Sequence, residues 1–317
     1  MSTNDTQPPS KGKVLLTGGT GFIASHVLDC LLDHGFDVVV TVVVSDPPID
    51  YVVHTASPYR MHWEDPKKEC LDPAIKGISG LLNSLYRHTP GVKRVVFTSS
   101  SAAILDPPNH PKVYDESYWC KVTAEEAMDP AHTYRASKTF AEIYAWDFCK
   151  KHPDKFTLAT INCTYTFGPP PRSLDSLDNL NTSNHRIRDL VQGRMRGGIP
   201  PTAPVFTFVD VRDVALAHVR AMTVPEAAGK RFYVVGGFFS NYLIASIVRA
   251  RFPPLERLLP PVEDGKDDFP EDHWAFDNSR SKEVLGLEYT GLEKTVVDTV
   301  ESILAFNGAG GGSTGRF

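Results

Sequence analysis

No apolar run in this chain approaches the roughly 20 residues that a helix needs to cross a bilayer, so an integral membrane protein is not expected. Cysteine is sparse and scattered. Cys30, Cys70, Cys120, Cys149 and Cys163 form no CxxC pair and leave an odd one over, which points to reduced thiols and to neither a disulfide framework nor a metal site. Basic excess is also missing: 33 Lys and Arg stand against 38 Asp and Glu, for a formal charge of -5. That removes the basic stripe that nucleic acid would require and the polybasic anchor of a membrane surface. Residues 1–11 lack the apolar core of a signal peptide, and no internal repeat runs through the sequence. The expectation is a cytoplasmic protein, monomer or homodimer, whose partner is a small molecule.

What is present begins with an apolar strand, Lys13-Val-Leu-Leu-Thr17, followed by Gly18-Gly-Thr-Gly21 and a helix from Phe22. Gly18 suits a backbone conformation that a Cβ would forbid. Gly21 lets the main chain approach a pyrophosphate, and Ala24 keeps helix and strand close. Phe22, Ile23, Val27, Leu28, Leu31 and Leu32 recur at helical spacing, His34-Gly35 supplies a C-cap, and Asp37-Val-Val-Val-Thr41 starts a second strand. This is a β-α-β unit with its glycine turn at the N-terminus of the helix, the arrangement that cradles a dinucleotide.

Further along, Tyr51 to Ala56 is a strand, Asp72-Pro73 opens an amphipathic helix, and Lys93 to Thr98 is a strand that stops at Ser99-Ser100-Ser101. A helix over about 132–150 carries Tyr134-Arg-Ala-Ser-Lys138. A strand over Thr157 to Ile161 then runs into Asn162-Cys-Thr-Tyr-Thr-Phe-Gly168, read as a turn. Later elements are a short helix from His185, a strand at Phe206 to Val209, a helix at Asp210 to Met222, a strand at Arg231 to Val235, and helices at Asn241 to Arg251 and Leu292 to Phe306. The fold class expected is α/β, a doubly wound parallel sheet with a smaller C-terminal substrate lobe. Residues 12–165 with 205–238 would form the dinucleotide domain, 166–204 with 239–307 the substrate lobe, and 308–317 a glycine-rich tail.

The letters at the strand ends suit one chemistry. Moving a hydride from a reduced nicotinamide to a ketone leaves an alkoxide that needs a proton, and Tyr134 can supply it. A free phenol titrates near about 10, and a lysine one helical turn away lowers that value through its charge. Lys138 sits at that spacing and would also hold the nicotinamide ribose. Ser100, at a strand's C-terminal end, would hydrogen-bond the substrate oxygen and fix it near Tyr134.

The stretches Thr17-Gly-Gly-Thr-Gly-Phe-Ile-Ala24, Phe97-Thr-Ser-Ser100 and Tyr134-Arg-Ala-Ser-Lys138 resemble the extended short-chain dehydrogenase/reductase family. The likeness is to its dihydroflavonol reductase and methylglyoxal/aldehyde reductase branch, over about Lys13 to Asn307. His54-Thr-Ala-Ser-Pro58, Asp72-Pro-Ala-Ile-Lys-Gly77, Phe167-Gly-Pro169 and Val209-Asp-Val-Arg-Asp-Val-Ala215 support it. The resemblance implies a reductase of aldehydes or ketones with Ser100, Tyr134 and Lys138 as catalytic triad. It also implies a nicotinamide cofactor, NADP(H) ahead of NAD(H), held by Thr17, Gly18, Thr20, Gly21, Phe22, Ile23, Ala24, Ala56, Lys138 and Thr164. One departure is Cys163, where that branch usually has proline after the asparagine, so a less rigid loop is expected there.

A second departure is larger. Only Val43 to Asp50 separates the second and third strands, whereas parallel neighbours usually need a crossover of about a dozen residues or more. In the resembling reductases an arginine-bearing loop, a helix, a strand and another helix come first. Here Val42, Val43 and Val44 stand at that loop, and Val43-Val-Ser-Asp-Pro-Pro48 resembles the end of the lost second helix. An in-frame loss of a few tens of residues accounts for this better than a redesigned loop. It predicts a sheet lacking one edge strand, a core partly uncovered, and weak binding at the adenosine end with little preference between NADP and NAD. Two other readings share the same letters: a nucleotide-sugar epimerase or dehydratase, and a shortened inactive member with impaired cofactor binding. The stretches Ser99-Ser-Ser-Ala-Ala103 and Pro73-Ala-Ile-Lys-Gly77 favour a simple reductase over the first.

Overall fold

The computed structural model describes residues 10–40, 48–57, 63–171, 174–261 and 267–309. In chain order the strands and α-helices are β1 (Lys13–Thr17), α1 (Phe22–Asp33), β2 (Asp37–Val40), β3 (Tyr51–His54), α2 (Asp72–His88), β4 (Arg94–Thr98), β5 (Val113–Tyr114), α3 (Pro130–Lys151) and β6 (Thr157–Cys163). They continue with β7 (Tyr165–Phe167), α4 (His185–Val191), β8 (Thr207–Asp210), α5 (Val211–Thr223), β9 (Lys230–Val234), β10 (Gly237–Phe238), α6 (Asn241–Arg251), β11 (Ala275–Phe276), α7 (Ser279–Leu285) and α8 (Leu292–Ala309).

Six strands form one parallel sheet in the order β2-β1-β3-β4-β6-β9. Each strand sends alternate residues to opposite faces. Val14, Leu16, Val53 and Val96 therefore pack with α1 and α5 in one core layer, while Leu15, Val52, Val95 and Phe97 pack with α2 and α3 in the other. Both faces are covered, as an all-parallel sheet requires. The exception is the β2 edge. Its four residues are exposed or half-buried, Val40 is 43 % exposed, and among the described residues no strand pairs beyond it. Among the described residues β2 is thus the edge of the sheet, the position where an edge strand and its cover are expected to be missing.

Chain returns from β2 to the far side of β1 within residues 41–50. Residues 41–47, including the three valines at the specificity loop, lie outside the described residues. Where the chain re-emerges, Ile49 is buried, and the Asp50 carboxylate accepts from Lys13 N at 2.9 Å and pairs with Lys93 at 2.9 Å.

A smaller sheet, β10-β8-β7, supports α4, α6 and α8 over its own core of Phe167, Phe208, Phe239, Ile244, Val296 and Val300. Several expected boundaries move. Residues 162–168 are a continuation of β6 and then β7, not a turn, because β6 keeps pairing with β9 out to Cys163 and Val234. The Cys163 position is therefore strand, not loop. Within 205–238, β8 joins the small sheet while α5 packs on α1. Leu285 and Leu287, expected in the lobe, return to the main core. Residues 310–317 of the tail are outside the described residues, and α8 runs on to Ala309. All five cysteines are free thiols. No helix among the described residues is long and apolar enough to cross a membrane.

One buried imidazole ties α5 to the sheet and another joins two neighbouring strands. His218 donates Nδ1–H to the Val214 carbonyl at 2.7 Å and accepts from the Thr98 hydroxyl at 2.7 Å, while His54 bonds the Thr17 hydroxyl at 2.7 Å. Burial pulls each pKa down to about 4, with Lys138 adding to the effect at His54. Since the folded values lie below the unfolded value of about 6.5, their stabilising contribution is complete above that pH. It is lost as pH falls toward about 4. Asp213, raised by burial to about 6, acts in the opposite sense. The expected result is that His218→Gln unfolds with a shallower dependence of Tm on pH between about 6.5 and 4 than the parent. Equal slopes contradict the neutral, buried state of His218.

Candidate active site

In an open α/β sheet the ligand crevice lies at the C-terminal strand ends where the chain leaves one side of the first strand for the other. Here that point falls between β1 and β3, and the loops that follow them touch. A Cβ built on Gly18, whose φ is +74°, would stand 2.9 Å from both Ala56 N and Thr55 Oγ1. Gly21 caps α1 without any side-chain cap bond, and the first turn carries no acidic residue. Its leading amides therefore face the crevice with a partial positive charge, which suits an anion. A cleft of about 710 Å³ opens there.

Of the residues singled out from sequence, Gly18, Thr20, Gly21, Phe22, Ile23, Ala24, Ala56, Ser100, Tyr134, Lys138 and Thr164 all line this cleft. Thr17 does not; its hydroxyl is turned behind the turn onto His54, and its carbonyl accepts from the Thr55 hydroxyl at 2.7 Å. The Thr164 hydroxyl is engaged with Thr207, at 2.9 Å to its carbonyl and 2.6 Å to its hydroxyl. The Thr164 hydroxyl hydrogen is thus committed within the protein and not offered to a ligand.

Ser100 caps the short 3-10 turn Ser101–Ala103, its Oγ accepting from Ala102 N at 3.1 Å. That bond uses a lone pair and leaves the hydroxyl hydrogen to donate. Tyr134 and Lys138 come one turn apart on α3, which Asp129 caps through Ala131 N. The Lys138 ammonium lies 6.0 Å from the Tyr134 ring centre and donates to the Thr98 carbonyl at 3.4 Å. Burial pulls its pKa below the usual lysine range, against the opposing influence of Cys163, Cys70 and Glu142. A hydroxyl donor, a phenol and a buried cation thus converge on one cleft beside an anion cradle. This set can hold a carbonyl oxygen, deliver a proton to it and neutralise the charge left on the phenol.

Leu105, Pro204 and Val205, not singled out from sequence, also reach the cleft, as do Asn181 to Ser183 from the polar, proline-bearing stretch 169–184 that the sequence marks as a loop over the site. Asn181 and Ser183 both donate to the Thr166 carbonyl, at 3.3 and 2.6 Å, so the polar wall is anchored to β7. His26 on α1 donates Nε2–H to the Pro169 carbonyl at 2.9 Å and fastens the cradle helix to the smaller sheet. At the far end of the turn, a Cβ on Gly19 would fall 2.1 Å from Val40 Cγ1. The last valine of β2 therefore already covers the turn where the shortened segment begins. The glycine cradle fits a dinucleotide pyrophosphate, whereas the sequence of residues 41–57, which follows β2, contains no lysine or arginine for an adenosine phosphate.

Comparison with known proteins points the same way. The model of the NAD dependent epimerase/dehydratase family matches residues 40–236. The ketoreductase azaE of Aspergillus niger is 50% identical over 330 positions, covering 92% of this chain and 97% of that protein. Because 92% of 317 residues is about 292, about 38 of those positions have no counterpart in this chain. The NADPH-dependent methylglyoxal reductase GRE2 of Saccharomyces cerevisiae is 31% identical over 93% of this chain and 99% of its own. Among solved structures, Gre2 of Candida albicans in complex with NADPH superposes with a TM-score of 0.85 at 31% identity, covering 94% of this chain and 99% of that one.

Proposed function

The chain belongs to the NAD dependent epimerase/dehydratase family, and on that premise we propose that it is an NADPH-dependent reductase of aldehydes or ketones working through Ser100, Tyr134 and Lys138. The observation that carries the reading is the convergence of these three side chains in the cleft that also contains the uncapped glycine turn. Relatives named as a ketoreductase and an NADPH-dependent methylglyoxal reductase, matched over nearly their whole length, support it. When bound, the reduced nicotinamide supplies the hydride. Ser100 would donate to the carbonyl oxygen, Tyr134 would give that oxygen its proton, and Lys138 would offset the developing phenolate and hold the ribose. Gly18, Gly21 and the amides of Ile23 and Ala24 would hold the pyrophosphate.

The test is NADPH consumption against a panel of aldehydes, α-dicarbonyls and aromatic ketones. Turnover of at least one class is expected, and failure of all of them with a folded, NADPH-binding protein contradicts the reading. The cofactor's far end carries its own prediction. With Val40 on Gly19 and the segment beyond β2 shortened, NADPH and NADH should bind with dissociation constants within about tenfold of each other. Micromolar NADPH binding with a much larger preference, in a cooperatively unfolding protein, would sink that expectation.

A further inference from the structure

Tyr134 and Lys138 are the first two members of a three-residue stripe, since Glu142 follows one turn later on the same face of α3. Taking the role of Ser100 from the reading above, we propose that Glu142 is a positioning residue that sets the Ser99–Ala103 segment, and with it the Ser100 hydroxyl, against the helix that carries Tyr134 and Lys138.

Glu142 is fully buried beneath the cleft, and its carboxylate is saturated. It accepts from Ser99 Oγ at 2.6 Å, Asn162 Nδ2 at 2.7 Å, Thr160 Oγ1 at 2.9 Å and Arg231 Nε at 2.7 Å. Asn162 Nδ2 also donates to the Ser100 carbonyl at 3.3 Å. The main chain of Ser100 is thus reached by two tethers from one carboxylate, through the side chain before it and through its own carbonyl. Arg231 extends the same grip to the other end of the segment. Its guanidinium donates to the Ala103 carbonyl at 3.4 Å and to those of Glu116 and Tyr118 at 2.7 and 2.6 Å, and it stacks 3.6 Å above Trp119.

A buried ion pair is poor evidence of stabilisation, because desolvation of both charges offsets most of their attraction. Fixed geometry is the better account of this one. The serine loop comes from β4, the asparagine from β6 and the arginine from β9, three neighbouring strands, and all meet a carboxylate on the helix bearing the phenol and ammonium. Serine and tyrosine then move as one body. A displacement of about 1 Å between reacting groups can cost about 100-fold in rate.

The experiment is a double-mutant cycle in the intact chain, using Asn162→Ala, which cuts the tether to the Ser100 carbonyl and leaves the Glu142–Arg231 pair, and Ser100→Ala. Glu142→Gln serves as a second variant if it folds. Asn162→Ala is expected to lower kcat on a preferred carbonyl by roughly 10-fold or more, with NADPH affinity unchanged within about twofold and a cooperative melt. In the Ser100→Ala background the same change should lower kcat by less than about twofold, because the group it positions is already gone. A full, independent loss in that background overturns the positioning role while leaving the catalytic reading intact. If Ser100→Ala itself turns over as fast as the parent, the catalytic reading fails and the positioning role with it. A fall in Tm with unchanged kcat for Asn162→Ala shows a purely structural residue and also overturns the proposal.

Discussion

Replacing Tyr134 with phenylalanine is expected to cut turnover by a factor on the order of 100 or more without unfolding the protein, the range that general acid catalysis by a placed side chain supplies. The substitution removes one oxygen and keeps the ring. Tyr134 is half-buried on α3 and lines the cleft with the Lys138 ammonium 6.0 Å from its centre, so the ring's packing and its place over the lysine survive. Steady-state kcat on one carbonyl, with NADPH affinity and Tm measured beside it, checks the claim. A phenylalanine variant as fast as the parent would mean that the proton comes from elsewhere.

Gly18→Val should abolish NADPH binding to the limit of a calorimetric titration. A β-branched residue resists a φ of +74°, and its Cβ alone would press on Ala56 N and Thr55 Oγ1 at 2.9 Å. Something must shift at the meeting of the β1 and β3 loops, where the pyrophosphate is expected. The rest of the sheet does not depend on that contact, so circular dichroism should stay close to the parent's. Unchanged NADPH affinity would remove the cradle from the account.

The parts of this arrangement that sequence exposes are those carried by local spacing. Val14 and Leu16 against Leu15 give the period of a strand buried on both faces, and Tyr134 with Lys138 gives one face of a helix. The shortened connection after β2 is equally local, since Val42 to Asp50 cannot hold the helices of a full crossover. Glu142 sits at the next step of the same stripe yet gives no comparable signal, because a glutamate among other polar helix residues reads as solvated. Ser99, Asn162, Thr160 and Arg231 come from strands that only the order β4-β6-β9 makes neighbours. Asn162 to Gly168 carries turn letters, but the ladder to β9 holds it extended as far as Cys163. Helix α7 is seven residues long, too short for a periodic pattern to declare itself, and its boundary rests on Gly286 at a φ of +63°.

The most direct measurement of the central claim follows a label. NADPH carrying deuterium at the transferable C4 position, incubated with the protein and a carbonyl substrate from the panel, should yield an alcohol with deuterium on the carbinol carbon, one for each cofactor oxidised. Alcohol without the label, or a nucleotide sugar epimerised while the cofactor returns unchanged and no carbonyl compound is reduced, would contradict it.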